Sequence, residues 1–519
     1  MDLFLALGLI VLCIIAFAHE RCRADFAIEN KYIANLIPVA VCFVIAFIFS
    51  IYLDLCPFNI EAPKTDSSVF LYIGRAMFNG SVPYLDLFDH KGPMLYFIQL
   101  FGYVIGFGSF VGVWVVELLN IFATAYIFYK IARLVTDNDF VSYFAVATVL
   151  LFCSHGFFEG GNLVEEYALP WIALSLYIVC KFFTENSYKS WHIALIGAAM
   201  SVVFFLRVNM IGVWVGLILP VVICFIKDKR YKELYRAILL FLGGFFAVAA
   251  PIIIYLLCTQ SFGAMIDYYF VFNFSYVDSS SKAGIITFLF DCVLLAPIAA
   301  LGIVYSVFAH SKSAPLRVNL VSLAFAYISA SISGRAFKHY GIVLIPFFVI
   351  PLTLFVCDFL KKAKDVKVST LKKSVLVFIC VLSISLVISD TEVSLEKFTP
   401  DDGVDEVVEY ITDVSFEDDD VLIIGNDVSY YFKFNRGTEN KFFYQTPPIE
   451  VSDEIYEQFI EEMKEHPSDF IVTRKQKHTE DEPSAEALIV YGLWYEYDTG
   501  GLYDVKELDD YFIFVRAER

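Results

Sequence analysis

No cysteine follows Cys380, and none of the 11 cysteines stands in a CxxC pair or at a zinc-like spacing with histidine. A disulfide framework is thereby excluded from the C-terminal part, and a zinc site of the familiar spacings from the whole chain. Cys13, Cys42, Cys153 and Cys224 lie inside apolar runs, where the thiol packs as a small hydrophobe. Charge is scarce too, at 18% of residues, and it is unevenly placed. From Thr391 onward there are about 33 acidic and 11 basic residues, which leaves the first 390 residues near +3 of the total of −19. A tail with so few cations repels phosphates, so a nucleic-acid partner is excluded. No nucleotide-binding loop is visible, since Gly425-Asn426-Asp427 after an expected strand is too little to make one.

What is abundant is hydrocarbon. Hydrophobic residues make up 58% of the chain, far above an ordinary soluble domain. They gather into runs of about 17 to 25 residues, the length that crosses a bilayer core of roughly 30 Å. The expected spans cover 2–18, 33–53, 110–131, 139–158, 166–183, 191–207, 209–226, 236–257, 285–309, 317–333, 341–358 and 373–390. The fold class is thus a polytopic α-helical membrane protein with about twelve spans. The first run lacks a basic n-region and does not read as a cleavable signal.

Orientation follows from the basic residues. Arg21, Arg23 and Lys31 share one short loop; Lys130 and Arg133 another; Lys227, Lys229 and Arg230 a third. Lys312 and Arg317 mark a fourth, and Lys361 to Lys373 a fifth. Positive loops stay cytoplasmic. All five fall on that side if Met94–Phe107, short and broken by Gly102 and Gly106, lies at the interface without crossing. Both termini and the loop 54–109 are then outside. The expected domains are 1–390, the membrane part, and 391–519, an acidic extracytoplasmic α/β domain. In the latter, Val404–Val414 and Asp453–His466 read as amphipathic helices. Val421–Gly425, Phe470–Thr473 and Tyr511–Val515 read as strands.

Polar residues concentrate in the first outer loop. Asp66, Asp86, Asp89, His90 and Lys91 lie there among turn signals at Asn79-Gly80, Pro83 and Gly92-Pro93. Phe70, Ile73 and Met77 are spaced as one face of a short helix from about Ser67 to Asn79, able to lie flat at the interface with Asp66 at its start. A solvated loop with an Asp cap would give the same pattern, although loops of this length in compact proteins usually carry function.

The order Asp66, Gly74-Arg75, Gly80, Pro83-Tyr84, Asp86, Asp89, Lys91-Gly92-Pro93 resembles the first outer loop of the C-type (GT-C) polytopic membrane glycosyltransferases. That superfamily includes protein mannosyltransferases, the aminoarabinose transferases and the RgtA/B/C/D-like group. Where those enzymes often carry Lys-Pro-Pro or His-Pro-Pro, glycine replaces the first proline here. Gly160-Gly161-Asn162 with Glu165-Glu166, Arg207-Val208-Asn209, Asn273 with Tyr276, and Gly334-Arg335 with His339-Tyr340 are further, weaker echoes. The resemblance implies a cell-membrane, cell-envelope enzyme that moves a hexose or pentose, with inversion, from a polyprenyl-phosphate donor to a glycan, lipid or protein acceptor.

Such transfer needs a base for the acceptor, cations for the leaving phosphate and an apolar groove for the prenyl tail. Asp66 is the expected base and Asp89 the second catalytic carboxylate. Lys91, Arg207, Arg335 and His339 are the expected phosphate ligands, and Lys338 is as readily a residue reaching toward lipid headgroups. For Arg207 the alternative is a buried ion pair with one of the outer acids. Asp86, Glu165 and Glu166 are candidates for acceptor or metal contacts, although Asp86 could cap a turn and the two glutamates could serve as helix N-terminal acids. Asp66, Asp89 and Glu166 offer the hard oxygens of a divalent metal ion, and the sequence leaves that cofactor open. Two other classes stay open: a transporter or flippase of lipid-linked sugars, against which the lack of a visible internal repeat counts, and a non-catalytic assembly protein of the cell envelope.

Overall fold

The computed structural model describes residues 31–58, 65–185, 188–275, 282–332, 334–364, 405–446, 448–474 and 502–517. The spans expected over 2–18 and 373–390, the start of the C-terminal part near Asp390, and Tyr276 lie outside the described residues. The chain divides into two compact units that do not follow chain order. One comprises Met1–Phe58, Trp114–Ile252 and Asp278–Lys397; the other comprises Asn59–Val113, Ile253–Val277 and Phe398–Arg519.

The first unit is helical. Among the described residues, Val111–Ala132, Val164–Glu185, Val208–Lys227, Tyr231–Cys258 and Lys338–Lys361 are long and apolar enough to cross a membrane. A sixth is added if the bent pair Gly284–Leu295 and Pro297–Ala309 counts as one span. Leu36–Ser50, Asp139–Phe152 and Ser190–Leu206 are apolar but shorter. The protein is thus a multi-pass membrane protein. Its two most enclosed helices, Val164–Glu185 and Lys338–Lys361, have polar residues at their N-terminal ends.

Two expected spans are broken. The run 285–309 bends by 97° at Ala296, because Pro297 has no N–H to extend the preceding helix and opens a new one. The run 139–158 stops at Phe152; Cys153 and Ser154 break it before the short helix His155–Phe158. The span expected at 341–358 begins instead as 3-10 turns over Lys338–Phe348, which contain Pro346, and becomes α-helical at Val349.

In the second unit, Thr65–Phe78 and Pro93–Ile105 are the two helices of the segment 54–109. The former has Asp66 in its first turn and Arg75 in its last, both matched to the helix dipole. Its expected single apolar face is an underestimate. Phe70, Leu71, Tyr72 and Ile73 are all buried, so the helix is enclosed on several sides. Gly74 permits this: a Cβ there would meet Gln99 Cβ at 2.7 Å. Tyr72 stacks on Phe443, with ring centroids 4.5 Å apart, and exchanges hydrogen bonds with the Thr438 backbone. Arg75 donates to the carbonyls of Tyr431 and Arg436 and lies over the Phe432 ring.

The C-terminal residues of this unit form a four-stranded sheet in the order β1-β2-β4-β3, with β1 Val421–Ile423, β2 Phe470–Arg474, β3 Tyr503–Glu507 and β4 Tyr511–Arg516. β1 and β2 are parallel, with Leu422 opposite Ile471; β4 is antiparallel to both β2 and β3. Helices Glu406–Val414 and Asp453–Glu465 are capped by Asp405 and Ser452 and bury Val407 and Ile411, and Ile455, Phe459 and Met463. β3 escapes the sequence reading because its polar residues Asp504, Lys506 and Glu507 do not form an apolar run.

The close contact at Gly74 yields a prediction. Gly74→Ala should destabilise the protein by about 1–3 kcal/mol through overpacking against Gln99. Thermal unfolding of the purified protein in detergent would register this as a lowered Tm; an unchanged Tm would mean the two helices can move apart freely.

Candidate functional site

The described polar residues form a cluster in each unit. In the second unit, the cluster grows from the turn between Thr65–Phe78 and Pro93–Ile105. Asp89 is buried, with its side chain only 2% exposed. Its Oδ1 accepts from the Tyr444 hydroxyl at 2.7 Å and the His90 N–H at 2.7 Å, while Oδ2 accepts from the Tyr96 hydroxyl at 2.9 Å. Burial, reinforced by Asp89, pushes the Tyr96 hydroxyl well above the usual phenol range. Tyr84 is likewise raised, by burial first, with Tyr269 and Asp89 adding to it. Both therefore remain protonated donors.

The Tyr84 hydroxyl donates to the Lys91 carbonyl at 2.7 Å, and the Tyr96 hydroxyl also lies 3.0 Å from that oxygen. Asn273 donates to the His90 carbonyl at 2.7 Å. The backbone around Lys91 is thus fixed on both sides. Its ammonium is 2.8 Å from His90 Nε2 and 5.9 Å from the centroid of the Phe70 ring. Gly92 has φ −78° and ψ 150°, an extended geometry that proline also adopts, and Pro93 occupies the first turn of its helix. Glycine for proline in Lys91-Gly92-Pro93 therefore leaves the backbone path intact. Gly92 gives that helix no side-chain cap, so an uncapped helix N-terminus lies directly beside the Lys91 cation.

Asp66 is half-exposed and has no hydrogen-bond or ion-pair partner among the described residues. It stands one turn before Phe70 on the same helix face. Lys91 approaches that face at Phe70, so a free carboxylate and a cation serve one side of the helix. Asp86 is exposed and accepts from the Val82 N–H at 2.6 Å, capping its own turn.

The first unit holds the other candidates. Arg207 pairs with Glu165, donates to the Tyr340 hydroxyl at 2.6 Å, and lies 4.2 Å over the Tyr340 ring. His339 Nδ1 is 2.6 Å from Glu159 Oε2. Arg335 is half-buried just before this segment, and Lys338 is exposed. Glu159, Gly160, Gly161 and Asn162 all have positive φ. This left-handed run explains the Gly-Gly-Asn motif, since glycine and asparagine tolerate that region best. The turn delivers the Asn162 N–H to Glu117 Oε1 at 2.5 Å. Glu166 is fully buried beside Glu117. Its carbonyl accepts from Asn120 at 2.8 Å.

Tyr444, Tyr84, Tyr96 and Glu117 were missed by sequence reasoning. Glu117 carried a signal, being the lone acid in the run 110–131. Tyr444 carried none, at 355 positions from Asp89. Among the described residues, no three His, Cys, Asp or Glu side chains gather as a metal set.

Comparison with known proteins places this geometry. The model of the competence-induced protein Ccs4 N-terminal domain matches residues 28–387. The chain belongs to that family. No curated protein matches it. Among solved structures, it is similar to ArnT from Cupriavidus metallidurans bound to undecaprenyl phosphate, with a TM-score of 0.60 at 13% identity, covering 94% of this chain and 99% of that one. The apo state of ArnT from the same organism gives a TM-score of 0.58 at 12% identity, with 94% and 98% covered. The chain shares the fold of these ArnT structures.

The Arg207–Glu165 pair can be tested by itself. Glu165→Gln leaves a largely buried guanidinium without its carboxylate and should cost about 1–3 kcal/mol of stability. A lowered Tm in detergent is the expected reading, and no change would show that Tyr340 alone suffices.

Proposed function

We propose that the protein is a membrane glycosyltransferase that moves a sugar from a polyprenyl-phosphate donor to an acceptor on the outer side of a cell membrane. The observation that supports it best is the Asp66 carboxylate, which has no partner among the described residues, on a helix face that Lys91 also approaches, in a fold shared with ArnT bound to undecaprenyl phosphate. In this reading the chain has about twelve spans, and its C-terminal α/β part is extracytoplasmic.

The chemistry is a single displacement with inversion. An acceptor hydroxyl or amine attacks the anomeric carbon, forming one bond there. The bond from that carbon to the phosphate oxygen breaks, and polyprenyl phosphate leaves with the electron pair. Asp66 takes the acceptor proton; its carboxylate has no partner among the described residues. Lys91 neutralises the leaving phosphate, aided by the uncapped helix N-terminus at Gly92.

Asp89 is assigned a different task from Asp66. With both oxygens already accepting hydrogen bonds, it serves the reaction by holding the loop. Arg207, Arg335 and His339 are the remaining phosphate cations of the proposal. For Arg207 this requires exchange of its Glu165 partner for phosphate. Glu165 and Glu166 remain the acidic candidates for an acceptor, whereas Asp86, which caps its own turn, fits that role less well.

Asp66→Asn keeps the shape of the side chain and removes the base. It should lower transfer by about 10²–10⁴-fold while Tm in detergent stays unchanged. The measurement is release of polyprenyl phosphate from polyprenyl-phosphate sugars by the purified protein. Full turnover by this variant would remove Asp66 from the mechanism.

A further inference from the structure

We infer that Tyr444, from the C-terminal part of the chain, is a positioning residue for Lys91 and acts through Asp89. This rests on Lys91 being the cation that receives the donor phosphate. A carboxylate buried as deeply as Asp89 must be supplied with donors, and the Tyr444 hydroxyl, at 2.7 Å, is one of its two side-chain donors among the described residues. The same oxygen, Oδ1, accepts the His90 N–H. That bond fixes the Asp89–His90 peptide, one residue before Lys91. On the other side of Asp89, Tyr96 bridges Oδ2 and the Lys91 carbonyl. The direction of the Lys91 ammonium, which rests on His90 Nε2, is therefore set by atoms that Asp89 holds.

Tyr444 is itself held by the sheet. The neighbouring Gln445 accepts from the Gly425 N–H at 2.7 Å, just past β1, and its amide donates to the carbonyls of Phe442 at 2.7 Å and Ile423 at 3.2 Å. Phe88 packs beside Tyr444, Phe442 and Tyr268, and its N–H donates to the Lys441 carbonyl at 2.9 Å. A continuous set of contacts thus runs from β1 through Gln445 and Tyr444 to Asp89 and on to Lys91. The C-terminal part is then a working component of the phosphate site, not an appended cover. Tyr444→Phe isolates the hydroxyl, because the ring that packs on Phe88 stays.

The test uses the full-length protein in nanodiscs and measures equilibrium binding of undecaprenyl phosphate. Tyr444→Phe should weaken binding roughly tenfold, the scale of one hydrogen bond to a charged group, with Tm little changed. Lys91→Ala should weaken it at least as much. The double variant should bind no more weakly than Lys91→Ala alone, because both act on one contact. If Tyr444→Phe yields too little folded protein, Asp89→Asn carries the same expectation. Wild-type affinity in Tyr444→Phe beside a weakened Lys91→Ala would overturn the role of Tyr444 and leave the Lys91 reading standing. Equal, additive losses in the two backgrounds would also overturn it, since Tyr444 would then act independently of Lys91. Unchanged binding in Lys91→Ala would instead overturn the assignment of phosphate to that residue.

Discussion

The constraint on which the candidate site depends is the satisfaction of one buried carboxylate. Asp89 has its side chain almost wholly removed from solvent, and a charge so placed is costly unless donors replace the lost water. Two of those donors are local, Tyr96 from the first-loop helix and the N–H of His90, and the third, Tyr444 from beside β1, is 355 positions away. Meeting the need of this one group draws the turn at 82–92 against the C-terminal residues. Phe88 and Tyr72, buried against aromatic rings from 431–444, reinforce the same join. Asp66, by contrast, is half-exposed and has no hydrogen-bond partner among the described residues.

The first unit obeys the same rule under a harsher penalty, since its helices are apolar enough to cross a membrane. Arg207 is stabilised there by a carboxylate and a phenol that also offers its ring face. Glu117 accepts the Asn162 N–H, and Glu166 is buried beside it. Ionisable groups kept at such a cost commonly mark a functional path. The left-handed turn at Glu159–Asn162 shows how the backbone is shaped to meet part of that cost.

Much of this was legible in the sequence, in proportion to how local the governing physics is. Apolar runs gave the helices, and the positions of Asp66, Lys91 and Pro93 could be assigned to the starts of two short helices. The bend at Pro297 was also a local matter, yet hydropathy alone treated 285–309 as one run. The polar edge strand Tyr503–Glu507 left no apolar signature. What could not be read were partnerships set by tertiary packing. Nothing in the spacing distinguishes Asp89, with three donors among the described residues, from Asp66, with none there, or shows that Arg207 has chosen Glu165. Tyr444 is one tyrosine among 31 until the sheet brings it to Asp89.

The most direct test of this account is a structure of the full-length protein in nanodiscs with undecaprenyl phosphate bound. The account predicts a phosphate oxygen within about 3 Å of Lys91 Nζ, with Asp89 still accepting hydrogen bonds from Tyr444 and Tyr96. A headgroup seated away from Lys91, or an Asp89 carboxylate that leaves both tyrosines to reach the ligand, would contradict it.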